Sequence, residues 1–239
     1  MIDTAKMKIQ PQDHEMNCPL CDSIGAVPVM HNEVKDRSYF HCEVCDLIFM
    51  RRQDHSSLEA EKARYDQHKN SNQDKDYIRF LEQMATPLRT EWARFGGGAV
   101  PRVLDFGCGP GPVMPEIFSK DGWLVDIYDP FYFPSELSPH WDIIVSTEVW
   151  EHFREPRQEI DRQITLLKSE GLLAVMTQFH EGPEHFANWW YVRDFTHVVF
   201  YSAKTFSWIG EHLRLSNLRN RSPIAIFTRA PDALARNLC

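Results

Sequence analysis

Between residues 77 and 95 apolar side chains recur at helical spacing: Tyr77, Leu81, Met84 or Ala85, Leu88, Trp92 and Phe95. That period gathers them on one face and predicts an amphipathic helix. Pro87 falls inside the pattern, so a kink or break is expected near Thr86. Gly96-Gly97-Gly98 should end the helix. Beyond it the pattern shortens. Val100–Phe106 reads as a strand, followed by a glycine loop and a short helix to about Lys120. Trp123–Tyr128 and Trp141–Ser146 read as two more strands. Pro156 suits the first turn of a helix with Ile160, Ile164 and Leu167 on its buried face, which Gly171 stops. Leu172–Thr177 is the next strand, and an aromatic-rich loop runs from Gln178 to Thr196. Ser202 caps a helix that buries Phe206, Ile209 and Leu213, and Ile224–Thr228 is the last strand. Short strands alternating with helices predict an α/β fold with a doubly wound, mostly parallel sheet.

Length adds a limit. A chain of 239 residues holds one α/β domain and something small. The expected division is a cysteine-bearing unit at 15–50, a linker arm and helix at 51–98, and the α/β domain at 99–239. No repeat or low-complexity stretch interrupts it. The formal net charge of −8, with no dense Lys/Arg block, argues against a nucleic-acid partner. No apolar run approaches the roughly 18 to 20 residues that span a bilayer. The first residues, Met1 to Lys6, lack a basic-then-apolar signal pattern, so a cytoplasmic protein is expected. Oligomeric state is not readable.

Four of the six cysteines fall in two pairs, Cys18-Pro19-Leu20-Cys21 and Cys42-Glu43-Val44-Cys45. Each pair lets two thiolates reach one ion from a tight turn, and four soft sulfurs favour zinc, with iron the usual impostor. A redox disulfide pair or unrelated buried cysteines are the competing readings. With so small a core, residues 15–50 should fold only around metal, in a closed site for structure or substrate docking. Cys108 and Cys239 are left over.

Val103-Leu104-Asp105-Phe106-Gly107-Cys108-Gly109-Pro110-Gly111 places an acid and three glycines at a strand-to-helix turn. A dinucleotide fingerprint spaces its glycines G-x-G-x-x-G to seat a pyrophosphate. Here the spacing is G-x-G-x-G, and the acid two residues before it suits a cationic amine. The string resembles the signature loop of class I S-adenosylmethionine (SAM)-dependent methyltransferases over about residues 100–229. The resemblance implies a Rossmann-like sheet and SAM as cofactor, held by Asp105, Gly107, Cys108, Gly109 and Gly111. It implies ribose binding by Asp129 at the end of the second strand, with Asp126 the mid-strand alternative. It also implies contacts from Pro130, Phe131, Thr147 and Glu148, the last two within Glu148-Val149-Trp150-Glu151-His152. That string is similar to the E-x-x-E-H of ubiquinone-pathway O-methyltransferases. One departure stands out. Only 11 residues separate Asp129 from Trp141, and three are prolines. A parallel crossover needs about a dozen residues, so the usual third strand is expected to be absent. Phe131, Tyr132 and Phe133 are then candidates to cover the adenine.

The expected reaction is methyl transfer to a small-molecule acceptor. A base would be His152, His180 or His197. Trp190 and Arg193 belong to an aromatic loop that reads as a lid, and Tyr65 to an arm that resembles the one folding over SAM in related enzymes. Zinc-bearing sugar C-methyltransferases share a similar layout. Two other readings stay open: an rRNA or tRNA methyltransferase gripping RNA with the cysteine unit, and a non-catalytic scaffold that binds a partner.

Overall fold

The computed structural model describes residues 16–32, 35–67, 73–96 and 98–231. The N-terminal tail to residue 14, His68 to Asn70 of the arm, Gly97 and Cys239 lie outside them. Three antiparallel strands come first: β1 (Val27–Asn32), β2 (Arg37–His41) and β3 (Ile48–Met50). Two helices follow, α1 (Leu58–Tyr65) and α2 (Lys75–Phe95). The remaining elements are β4 (Arg102–Phe106), α3 (Met114–Ser119), β5 (Leu124–Tyr128), β6 (Trp141–Thr147), α4 (Pro156–Leu166), β7 (Leu167–Met176), α5 (Pro183–Phe186), β8 (Val199–Phe200), α6 (Ala203–His212), β9 (Leu215–Arg221) and β10 (Ile224–Arg229).

The central sheet has the order β5-β4-β6-β7-β10-β9. The first four strands run parallel, and β10 is antiparallel to both neighbours. No strand forms between Asp129 and Trp141; the turn there makes a single bridge, Asp129 to Phe133. β5 is therefore the edge of the sheet, as the short prolyl segment predicts.

Alternation along the strands builds two cores. Val103, Ile143, Val145, Leu172 and Ala174 pack with Leu81, Met84 and Leu88 of α2 and with Ile117 and Phe118 of α3. Their chain neighbours Leu104, Ile144 and Leu173 face the other way, onto Ile160, Phe206 and Ile209. Burial on both faces is why these strands read as continuous apolar runs. Each fully buried Leu, Ile or Phe contributes about 1.5–3 kcal/mol.

Two local expectations need correction. α2 runs unbroken through Pro87. The carbonyl that loses its donor there belongs to exposed Gln83, which is open to solvent. Gly171 does not stop α4, which ends at Leu166. Instead it lies inside β7, where a Cβ would come within 3.0 Å of the Asp142 carbonyl oxygen. The predicted capping of α6 is present: Ser202 accepts from the Thr205 amide, and Thr205 Oγ1 accepts from the Ser202 amide.

The cysteine-bearing unit is joined to the rest. β8 pairs antiparallel with β3, making a sheet of order β1-β2-β3-β8. Leu20, Phe40, Leu47 and Phe49 share one core with Tyr201 and Phe206. Tyr39, Ile48 and Met50 share another with Phe186, Tyr191 and Phe200. Polar ties cross the same seam: Ser202 Oγ donates to Asp46 at 2.5 Å, and His180 Nε2 donates to the Asp46 carbonyl at 2.9 Å.

Candidate active site

A cavity of about 650 Å³ opens at the carboxyl ends of β4, β5 and β6, where open parallel sheets bind their ligands. The glycine loop forms one wall. The amides of Gly107 and Cys108 donate to the Tyr128 carbonyl at 2.7 and 3.1 Å, tying the loop to the end of β5. Gly107 has φ +82°, and a Cβ there would meet Val149 Cγ2 at 2.6 Å. Gly109 has φ +66° and open space where a Cβ would project. Both positions need glycine, one for packing and one for close approach of a ligand. Cys108, Pro110, Pro130 and Phe131 also line the cavity, whereas Gly111 lies beyond its wall.

Two acids face this loop. Asp105 is 4% exposed at the end of β4. Burial, and then the charge of Asp129, push its carboxyl up to about 7. Asp129 Oδ2 accepts from the Gly109 amide at 3.0 Å, and its Oδ1 from the Phe131 and Tyr132 amides at 2.8 and 3.1 Å. Asp129 therefore pins the loop and the following turn together. Those bonds use three of about four acceptor sites on the carboxylate, leaving one for a ligand. Asp126 is occupied elsewhere, by Arg102 and Trp141. Tyr132 points away to Asp66, and Phe133 closes the turn back onto Asp129.

The segment after β6 supplies the third side. Glu148 holds φ +54°, unusual for a residue with a side chain, and its amide donates to the Met176 carbonyl at 2.8 Å. Thr147 Oγ1 and Glu148 Oε1 are buried with no hydrogen-bond partner among the described residues. Burial, then the charge of Glu151, raises the Glu148 carboxyl to about 9.

Opposite the loop stand Glu151, His152 and His197. Glu151 is fully buried, and its Oε1 accepts from the Tyr191 hydroxyl at 2.5 Å. The same hydroxyl lies 3.1 Å from Glu148 Oε2 and 3.1 Å from Thr177 Oγ1. His152 Nδ1 donates to the Thr196 carbonyl at 3.0 Å, and His197 Nδ1 to the Tyr191 carbonyl at 2.8 Å. A carbonyl only accepts, so each Nδ1 carries a proton. Burial, then the charge of His152, lowers His197 to about 4, which keeps it neutral at physiological pH. Replacing Tyr191 with phenylalanine should cost about 2 kcal/mol of stability, because a buried carboxylate loses its donor. Urea unfolding checks this; an unchanged midpoint would contradict it.

The arm closes the cavity from above. Tyr65 sits edge-on to His152, centroids 5.2 Å apart, and 5.9 Å from Phe131. Its hydroxyl donates to Glu61 Oε1 at 2.7 Å. Arg154 binds Glu61 at 2.6 Å, and Arg64 binds Asp194 at 2.8 Å, clamping α1 to the body.

Three expected site residues lie elsewhere. His180 is buried at the seam with the cysteine unit, bonded to Asp46 and Gly182, not in the cavity wall. Trp190 is 59% exposed, and Arg193 is exposed with its carbonyl accepting from Lys35. The aromatic segment packs Phe186 and Tyr191 into the core shared with β2 and β3, so Trp190 and Arg193 turn outward. It presents Asp194 and His197 to the cavity instead. Glu151, Tyr191, Asp194, Glu61 and Arg154 were not singled out from the sequence. Glu151 lies inside the quoted E-x-x-E-H string, the one available signal among them.

Away from the cavity, Cys18 and Cys45 Sγ atoms lie 3.5 Å apart, as do those of Cys21 and Cys42. All four sulfurs fall within 4.8 Å of one another, and none is in a disulfide. A tetrahedral zinc with bonds of about 2.3 Å spaces its sulfurs by about 3.8 Å. The set fits such an ion.

Among the described residues no helix is long and apolar enough to cross a membrane. No curated protein matches the chain. Solved structures similar to it include a mitomycin 7-O-methyltransferase: 15% identity, TM-score 0.42, over 56% of this chain and 50% of that one. An O-methyltransferase family protein from Burkholderia thailandensis gives 14% identity and TM-score 0.46, over 65% of this chain and 58% of that one. The DszA carbon methyltransferase gives 14% identity and TM-score 0.46, over 74% and 58%. The chain thus spans between half and three-fifths of these structures. A family model described as a methyltransferase domain matches residues 72–219. That match takes in α2, the glycine loop, the two acids and the Glu151–His152–His197 wall, and by it the chain belongs to the methyltransferase-domain family.

Proposed function

We propose that this protein transfers a methyl group from SAM to a small-molecule acceptor, with a structural zinc in the four-cysteine site. The observation that carries the reading is the cavity itself. A glycine loop with two acids shares one cavity with two imidazoles and a carboxylate. Its volume is that of a small-molecule site, typically about 300–1,000 Å³.

When bound, SAM supplies an electrophilic methyl on a sulfonium. The chain does the rest. Asp105 takes the amino group, Asp129 a ribose hydroxyl through its remaining acceptor site, and Phe131 with Pro130 covers the adenine in place of the absent strand. Thr147 and Glu148 offer unpartnered polar atoms beside them. Displacement at a sulfonium needs alignment above all, and the arm with Tyr65 excludes water while the acceptor is held. The acceptor sits against Glu151, His152 and His197. The cavity's volume of about 650 Å³ and the chain's net charge of −8 support a small molecule over RNA. Incubation with methyl-labelled SAM tests this. Label is expected in small hydroxyl or amine compounds; label entering RNA alone would sink the reading.

Asp105 gives the site a pH signature. Its folded carboxyl titrates near 7, well above the ordinary 3.8. The ionised form is the strained one, so its contribution to stability falls as pH rises from about 4 to about 7. Asp105→Asn should therefore be more stable than wild type at pH 8 and no more stable at pH 4. A cationic amine reverses the preference, so affinity for S-adenosylhomocysteine should rise through pH 7 in wild type only. Equal urea midpoints for the two proteins at pH 8 would contradict this.

A further inference from the structure

Glu151, His152 and His197 each offer a ligand atom, and these atoms lie within 4.8 Å of one another. Both imidazoles have Nδ1 fixed on a backbone carbonyl, Thr196 for one and Tyr191 for the other. That is how a protein orients metal-binding histidines, because it fixes the tautomer and leaves Nε2 as the donor. Glu151 is 0% exposed, and its Oε2 has no hydrogen-bond partner among the described residues. A buried carboxylate oxygen left in that state is costly unless a donor or cation completes it. The other oxygen is held by Tyr191, and the ring of Tyr65 stands edge-on to His152 on the cavity side.

We propose that these three residues hold one divalent transition-metal ion on the cavity wall, in a site separate from the four cysteines. Two nitrogens and one carboxylate oxygen suit manganese, iron, cobalt or zinc, and are a poor set for magnesium, calcium or cuprous copper. Three protein ligands leave coordination positions open toward the cavity. The group that fills them is an oxygen acceptor, a hydroxyl or enol; the ion makes its proton more acidic, as it does for bound water. That proton passes to solvent at the open side of the cavity while the oxygen takes the methyl and the sulfonium sulfur keeps the bonding pair. The assignment of the acceptor rests on the methyl-transfer reading; the ion site does not.

The test is calorimetric titration of the full-length, zinc-loaded protein with Mn2+, which does not compete for thiolates. His152→Gln and His197→Gln are titrated in parallel, and all three proteins also with S-adenosylhomocysteine. The expected result is one Mn2+ per wild-type chain, weakened about tenfold or more in each variant, with S-adenosylhomocysteine binding retained in all three. Mn2+ that fails to bind wild type, or binds all three proteins alike, overturns the ion site. Mn2+ bound in a histidine-dependent way by a wild type that does not bind S-adenosylhomocysteine supports the ion and removes the methyl-transfer reading.

Discussion

Replacing Cys45 with serine is expected to disable the cavity, although the residue lies outside it. A structural zinc contributes on the order of 10–16 kcal/mol to folding, comparable with the whole stability of an ordinary domain. The cysteine unit has little core of its own, and what it has continues into the cores of the body. Its strand β3 pairs with β8, and Tyr39, Ile48 and Met50 pack on Tyr191 and Phe200. Tyr191 in turn supports Glu151 through its hydroxyl and His197 through its carbonyl. Loss of a zinc held by the four cysteines would thus reach the wall through one shared core. Scanning calorimetry of Cys45→Ser, or of wild type stripped by a strong chelator, should show the melting midpoint lowered by more than about 10 °C. S-adenosylhomocysteine binding should fall with it. A variant with wild-type melting and binding would show that the two regions are independent.

The central strands were plain in the sequence because they are buried on both faces: Val103-Leu104, Ile143-Ile144 and Leu172-Leu173 each send one side chain to either core. The missing third strand was also readable, since too little chain lies between Asp129 and Trp141 to build a crossover. β9 escaped because most of its residues are exposed, so Leu215–Arg221 shows no apolar pattern. β8 escaped because two residues carry no period at all; it exists only through pairing with β3. That pairing is long-range, and it decides where the cysteine unit sits.

Asp129→Ala is the second substitution with a large expected effect. It removes the acceptor of three backbone bonds, from Gly109, Phe131 and Tyr132, and any contact to a ribose. Bonds to a charged acceptor are worth about 1.5–3 kcal/mol each, and losing even one or two in the bound state lowers affinity about a hundredfold. Asp129→Asn separates the parts. Its amide keeps the side-chain shape and one acceptor oxygen, so it should bind with intermediate strength.

The cofactor side of the cavity was legible because its chemistry is local: Asp105, Gly107, Gly109 and Asp129 sit in short strings at strand ends. The acceptor side was only half legible. His152 and His197 were singled out, but so was His180, which the seam with Asp46 consumes. Composition alone made Trp190 and Arg193 look like lid residues. Which aromatic of a run faces inward depends on what the segment packs against, and that partner lies more than 130 residues earlier, around Tyr39 and Ile48. Glu61 and Arg154 pair across 93 residues for the same reason.

The measurement closest to the central claim is calorimetric titration of the zinc-loaded wild type with S-adenosylhomocysteine at pH 8, where Asp105 is ionised. The account predicts one site per chain with affinity on the order of micromolar, about −8 kcal/mol, lost or weakened about a hundredfold in Asp129→Ala. A folded, zinc-loaded wild type that releases no heat with S-adenosylhomocysteine, and none with SAM, would contradict it.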